Sequence, residues 1–129
     1  VVSPSTDLFC ANQALDNIIY PLPSLEPYQY ENEIDWEVGG KSNTWYLYFQ
    51  SLRVVGYLAN AAEGSGNISY LDKAAEIIES WYDFHHDNKN PPPYAWNDHA
   101  SASRSRNVVH FLRAYQSLPD AQLPDSFFE

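Results

Sequence analysis

Methionine is absent from this 129-residue chain, cysteine occurs once, and only 7 lysines and arginines stand against 17 aspartates and glutamates. A lone Cys10 excludes an intramolecular disulfide framework and leaves the redox compartment open. The formal net charge of −10 argues against a duplex nucleic-acid partner, which calls for a basic footprint. It also weighs against a polyanion unless the few cations are focused in one cleft. No stretch approaches the roughly 18 apolar residues that a membrane span requires, so no membrane partner is expected. A basic leader followed by an apolar run is missing, so any secretion signal has been removed or never existed. With Val1 first and no methionine, a processed chain or an excised fragment is expected. There is no glycine-rich phosphate loop, no Gly-x-Ser-x-Gly elbow and no internal repeat.

What the chain has instead is aromatic: 4 Trp, 10 Tyr and 6 Phe within a hydrophobic content of 44%. A disordered acidic tail is poor in such residues, so this chain folds. So many rings on few helices suggest that some meet a ligand or a neighbouring domain, although large aromatics chiefly fill helix interfaces.

Apolar spacing predicts an all-α chain. A short helix is expected over 7–19, closed by Tyr20-Pro21-Leu22-Pro23, because proline cannot continue a helix. The aromatic-rich stretch from Ser24 to Gly40 reads as a loop laid over the helical body. Trp45, Phe49, Leu52, Val55 and Ala59 share one face of a helix predicted over 43–63, ended by Gly64-Ser65-Gly66. A second helix is predicted over 69–85, on the stripe Leu71, Ala74, Ile78, Trp81 and Phe84 or His85, with Asn67 or Ser69 as cap. The short connection between these two implies antiparallel neighbours. A proline-rich loop then leads to a third helix from Asn97 or Asp98 to about Ser117. One domain or fragment is expected over 1–129. It comprises an extended N-terminal segment at 1–40, a helical core at 41–118 and a tail at 119–129.

The segment Tyr94-Ala95-Trp96-Asn97-Asp98-His99-Ala100-Ser101-Ala102-Ser103-Arg104 concentrates the chemistry. Asn97 or Asp98 is the natural N-cap. His99 then lies in the first turn, where the helix dipole favours a neutral ring able to hydrogen-bond a sugar hydroxyl or sit in the core. Arg104 shares a stripe with Val108, Phe111 and Tyr115, an expensive place for a cation unless it is paired or opens onto a cleft. Its partner would be Asp35, Glu37 or Asp98, or else a carboxylate or sulfate on a sugar, which the planar guanidinium fork can clamp. His85-His86 with Asp98-His99 fits no familiar zinc spacing, so neither metal nor cofactor is expected. The loop acids Glu31, Glu33, Asp35 and Glu37 could pair as glycosidase acid and base, or simply be solvated. Asn67-Ile68-Ser69 fits a glycosylation sequon.

Three stretches together resemble the heparinase II/III-like polysaccharide lyases. They are Ile34-Asp35-Trp36 with Thr44-Trp45-Tyr46-Leu47-Tyr48-Phe49-Gln50-Ser51-Leu52-Arg53, then Asn67-Ile68-Ser69-Tyr70-Leu71 through Trp81, then Ala95 to Arg104. The likeness covers Ile34 to Tyr115. It implies helical hairpins forming part of an incomplete α/α toroid, followed by a C-terminal remainder of the same protein bearing a β-sandwich. It also implies a cleft for an acidic polysaccharide, cleaved by β-elimination. The family's carboxylate neutraliser and tyrosine base would lie beyond the last helix here, so Asn97 and His99 are not equated with them. As the resemblance has it, Asn97 and His99 hydrogen-bond the sugar, Arg104 clamps its charge, and Trp36, Tyr94 and Trp96 are stacking platforms. The expected protein is the helical part of a secreted or periplasmic lyase of uronate polymers, inactive as 129 residues alone. The acidic charge disfavours highly sulfated heparin as substrate. The alternatives are a non-catalytic all-α module, binding carbohydrate or protein, and a helical glycosidase.

Overall fold

A computed structural model describes residues 4–86, 95 and 97–118, with side chains from Thr6 onward. Within them lie helix α1 (Pro4–Leu15), strands β1 (Ile18–Ile19) and β2 (Tyr28–Gln29), and helices α2 (Asn43–Gln50), α3 (Arg53–Ser65), α4 (Ser69–His85) and α5 (Asp98–Ser117). The all-α class expected from the spacing is what these residues form. The expected N-terminal helix over 7–19 instead runs from 4 to 15, because Asn17 turns left-handed (φ 65°) and ends it.

Helix α3 is the centre of the fold. Val54, Val55, Gly56, Tyr57, Leu58, Ala59, Ala61 and Ala62 are all buried, so burial runs around most of its circumference. A helix apolar on every side needs neighbours on every side, and α1, α4 and α5 all pack against it. Its small residues set how near they come. A Cβ added at Gly56 would lie 2.7 Å from Asn107 Oδ1, so only glycine lets α5 approach this closely. Gly66 (φ 72°) ends the helix in a left-handed cap, its N–H reaching Ala62 O at 2.8 Å. Asn67 Oδ1 then accepts from Ser69 N, starting α4 directly on the other side of the turn.

The segment predicted as a loop at 24–40 is more ordered than that. Ile18 pairs with Gln29 and Ile19 with Tyr28 in a two-residue antiparallel ladder. The arm then lies on α2 through its rings: Trp36 centres 4.9 Å from Phe49, and Tyr28 meets Phe49 at 5.8 Å and Trp45 at 6.3 Å, both edge-on. Trp45 Nε1 donates to Glu26 O and Trp36 Nε1 to Ser80 Oγ, so both indoles are buried with their polar ends satisfied.

The largest departure from the sequence reading is the break in the helix predicted over 43–63. The ladder stops at Ser51, and Leu52 adopts a left-handed conformation (φ 57°, ψ 43°) before α3 begins. For a non-glycine residue this costs on the order of 1–2 kcal/mol. Two helices instead of one let the apolar stripe turn a corner: Trp45 and Phe49 face the arm, Val55 and Ala59 the core, and Leu52 is itself 1% exposed.

Gly56→Ala is expected to lower stability by about 1–3 kcal/mol, because Asn107 must give way in a packed interface. Gly64→Ala, whose added methyl meets nothing within 4 Å, is expected to be neutral or slightly stabilising. Thermal melts of the two variants measured side by side check the pair.

Candidate functional site

The break between α2 and α3 frees two buried carbonyls, and α5 supplies the donors. Arg104 Nη1 donates to Gln50 O at 2.7 Å, and Asn107 Nδ2 donates to Ser51 O at 3.0 Å. A cation at a helix C-terminus is favourable because the last carbonyls carry partial negative charge. The α5 register that delivers both groups is set at its start. Asn97 is the N-cap, its Oδ1 accepting from His99 N at 2.9 Å and Ala100 N at 3.4 Å.

Gln50 gathers the rest of the cluster. Its Nε2 donates to Trp36 O at 3.2 Å, and its Oε1 accepts from Trp81 Nε1 at 2.9 Å. Trp81 stacks on His85 with centroids 4.3 Å apart, and the Arg104 guanidinium carbon lies 4.0 Å from the Trp81 ring centroid. A desolvated arginine over an indole is worth about 2 kcal/mol. Arg104 Nη2 also reaches Ser101 Oγ at 3.1 Å. Burial pushes the guanidinium pKa down to about 10, which leaves it charged at neutral pH.

His85, 1% exposed, has Nδ1 at 2.8 Å from Trp81 O. A carbonyl only accepts, so the proton is assigned to Nδ1, and the buried Nε2, which has no hydrogen-bond partner among the described residues, keeps its lone pair. Burial holds the ring pKa below its ordinary value, with the charge of Arg104 acting in the same direction and the Trp81 carbonyl opposing.

Two of the site residues expected from sequence take different positions, and Asn97 takes the cap position that the sequence predicts. Arg104 is 7% exposed and is committed to a helix end, a hydroxyl and an indole, so the role of direct charge clamp is corrected to a structural one. Trp36, 2% exposed, is held between Phe49 and His85 and has no face to offer a sugar; its role as a stacking platform is likewise corrected. Asn97 is exposed, but its carboxamide oxygen is occupied by the cap. Tyr94 and Trp96 lie outside the described residues.

His99 remains on the surface. It meets the half-buried Tyr48 edge-on at 6.5 Å. On that ring's far side of the helix break, the Arg53 guanidinium carbon lies 5.9 Å from the Tyr48 centroid and 6.0 Å from that of Tyr57. Sequence reasoning missed Tyr48, Arg53, Gln50 and His85 as members of this region. The signal available was Gln50 alone, a polar residue next to the apolar stripe at Phe49.

A separate groove of about 460 Å³ runs between the arm and α4, lined among others by Tyr30, Glu33, Glu76, Glu79 and Asp83. Four carboxylates make it hostile to a sugar acid. The loop acids Glu31, Asp35 and Glu37 are exposed, and Asp35 Oδ1 accepts from Glu37 N. Compared with known protein families, curated proteins and solved structures, the chain shows no match.

Arg104→Met is expected to cost roughly 3 kcal/mol, because Gln50 O is left buried without its donor. Equilibrium urea unfolding monitored by tryptophan fluorescence measures this. His85 gives a pH signature. Its folded-state pKa lies below the 6.5 of the exposed ring, so the unfolded chain takes up the proton first. The contribution of the neutral ring is complete above that value and is lost as pH falls through the folded-state pKa. A His85→Phe variant is expected to show a shallower fall in melting temperature than the parent between about pH 7 and pH 5.

Proposed function

We propose that this chain is the first helical portion of a toroid-type polysaccharide lyase of the heparinase II/III-like kind, acting outside the cytoplasm on a uronate-containing polymer. The observation that carries the reading is convergence. The residues on which the resemblance rests are scattered from Trp36 to Arg104, yet Trp36, Gln50, Trp81 and Arg104 are joined directly by hydrogen bonds or ring contact. Sequence likeness alone carries no requirement that these stretches meet. Above that buried cluster, Tyr48 and His99 come together at the surface.

The division of labour follows from burial. The enclosed cluster fixes the start of α5 against the end of α2, and the exposed rim is what a saccharide would touch. An aromatic edge, an imidazole and a nearby cation suit a ring that is apolar on its face and polar at its rim. In the reaction, the uronate carboxylate is neutralised, the C5 proton is removed by a base, and the 4-linked oxygen departs to leave a carbon–carbon double bond. The base and the neutraliser are assigned to the part of the protein that follows, with the helices here holding the polymer.

The test uses the longest natural polypeptide that contains this chain, incubated with alginate, polygalacturonate and hyaluronan. The expected result is ultraviolet absorbance from unsaturated uronate ends, growing in step with new reducing ends. Reducing ends without that chromophore would make it a hydrolase. Neither signal on any uronate polymer would make it a non-catalytic helical module.

A further inference from the structure

Resting on the carbohydrate reading above, we infer that Arg53, braced between Tyr48 and Tyr57 with His99 beside Tyr48, is the group that meets a sugar carboxylate on this chain. Arg104, the arginine that the sequence singles out, is enclosed and engaged. Arg53 is not. It is half-buried, and among the described residues no carboxylate lies within ion-pairing distance of it. Of the described arginines it is the one whose guanidinium lies against two tyrosine rings.

Its surroundings restrain it in other ways. The guanidinium carbon is about equally distant from the two tyrosine rings, 5.9 and 6.0 Å. Flanking by aromatic faces limits the side chain's rotamers, and a guanidinium has five N–H donors, more than one phenol can use. Tyr57 is 3% exposed, and among the described residues the polar group its hydroxyl meets is the Arg53 guanidinium. Burial pushes that phenol up to about 12, with Arg53 pulling the other way, so at neutral pH it is a neutral donor beside the guanidinium. His99, which meets Tyr48 edge-on at 6.5 Å, is exposed at the first turn of α5.

The left-handed Leu52 adds an independent reason. It places Arg53 as the first residue of α3, where the helix begins after a sharp turn. In a continuous helix from 43 to 63, Arg53 would continue the α2 surface. With the break, its side chain instead spans from a ring on α2 to a ring on α3. The ligand class that fits is a carboxylate on a pyranose: the fork takes the acid bidentately while Tyr48 and His99 meet the ring.

The experiment titrates the 129-residue chain with tetrasaccharides of mannuronate, galacturonate and hyaluronan, and with the same tetrasaccharides after reduction of their carboxyl groups, by calorimetry. At least one uronate is expected to bind roughly ten- to hundredfold more tightly than its reduced form. Arg53→Gln is expected to erase that difference and leave the affinity for the reduced sugar unchanged, and Arg53→Lys to restore part of it. Tyr48→Ala is expected to weaken both forms. Circular dichroism and melting temperature establish that each variant is folded, and perturbation of the Arg53 Nε–Hε resonance by the uronate supplies a readout in the unmutated chain. If a uronate binds and neither Arg53→Gln nor the resonance responds, the Arg53 assignment is overturned and the saccharide reading survives. If no tetrasaccharide binds, charged or reduced, the reading and the assignment fall together.

Discussion

The fold depends on how a helix interrupted in mid-course is made tolerable in a dry interior. Where α2 ends, carbonyl groups leave the helical ladder without water to receive them, and each would cost on the order of 1–3 kcal/mol if left alone. Arg104 and Asn107 meet two of them. The two donors are three residues apart, close to one helical turn, so one face of α5 serves both. Gly56 lets that face come close enough. The position of α5, the angle between α2 and α3, and the burial of an arginine beneath an indole are thus one arrangement with several consequences.

Polar groups elsewhere in the interior follow the same economy. Gln50 is wholly buried, yet its carboxamide donates to one backbone carbonyl and accepts from one indole. Trp36 and Trp45, in the arm and in α2, each give their N–H to a nearby oxygen. A satisfied network of this kind specifies one packing among many that hydrophobicity alone would permit. His85 is one departure among the described residues, with a ring nitrogen left bare among aromatic rings. Cys10 lies at the opposite extreme: its thiol is fully buried, its pKa is raised to about 11 chiefly by burial, and it is correspondingly unreactive.

Much of this was legible in the residues. The second and third strong helices fall where the spacing puts them, at Ser69–His85 and Asp98–Ser117, because capping groups, breakers and apolar stripes agree there. Asn97 as a cap is a local matter, and local chemistry suffices to read it. The break at Leu52 was not legible, since no glycine or proline marks it. The one hint is Ser51, whose hydroxyl donates back to Tyr48 O, a bond that tends to bend helices. What decides it is a pair of donors on a distant helix, which no window on the sequence contains. The misassigned role of Arg104 has the same origin. Its place on an apolar stripe correctly implied burial at a cost, but the compensating acceptor is a backbone carbonyl, invisible as a partner when one searches the sequence for acids. The two-residue pairing of Ile18-Ile19 with Tyr28-Gln29 was too short to leave a periodic signature.

Arg104 stands 54 positions after the carbonyl to which it donates. A ribosome releasing this polypeptide from its N-terminus exposes the corner at Ser51-Leu52 long before α5 has emerged. Until then the corner has only short-range bonds, such as Ser51 Oγ to Tyr48 O, and its two freed carbonyls have no donor from α5. The corner is therefore written late, by the far end of the chain, and the assembly of the N-terminal arm onto its aromatic bed waits on it.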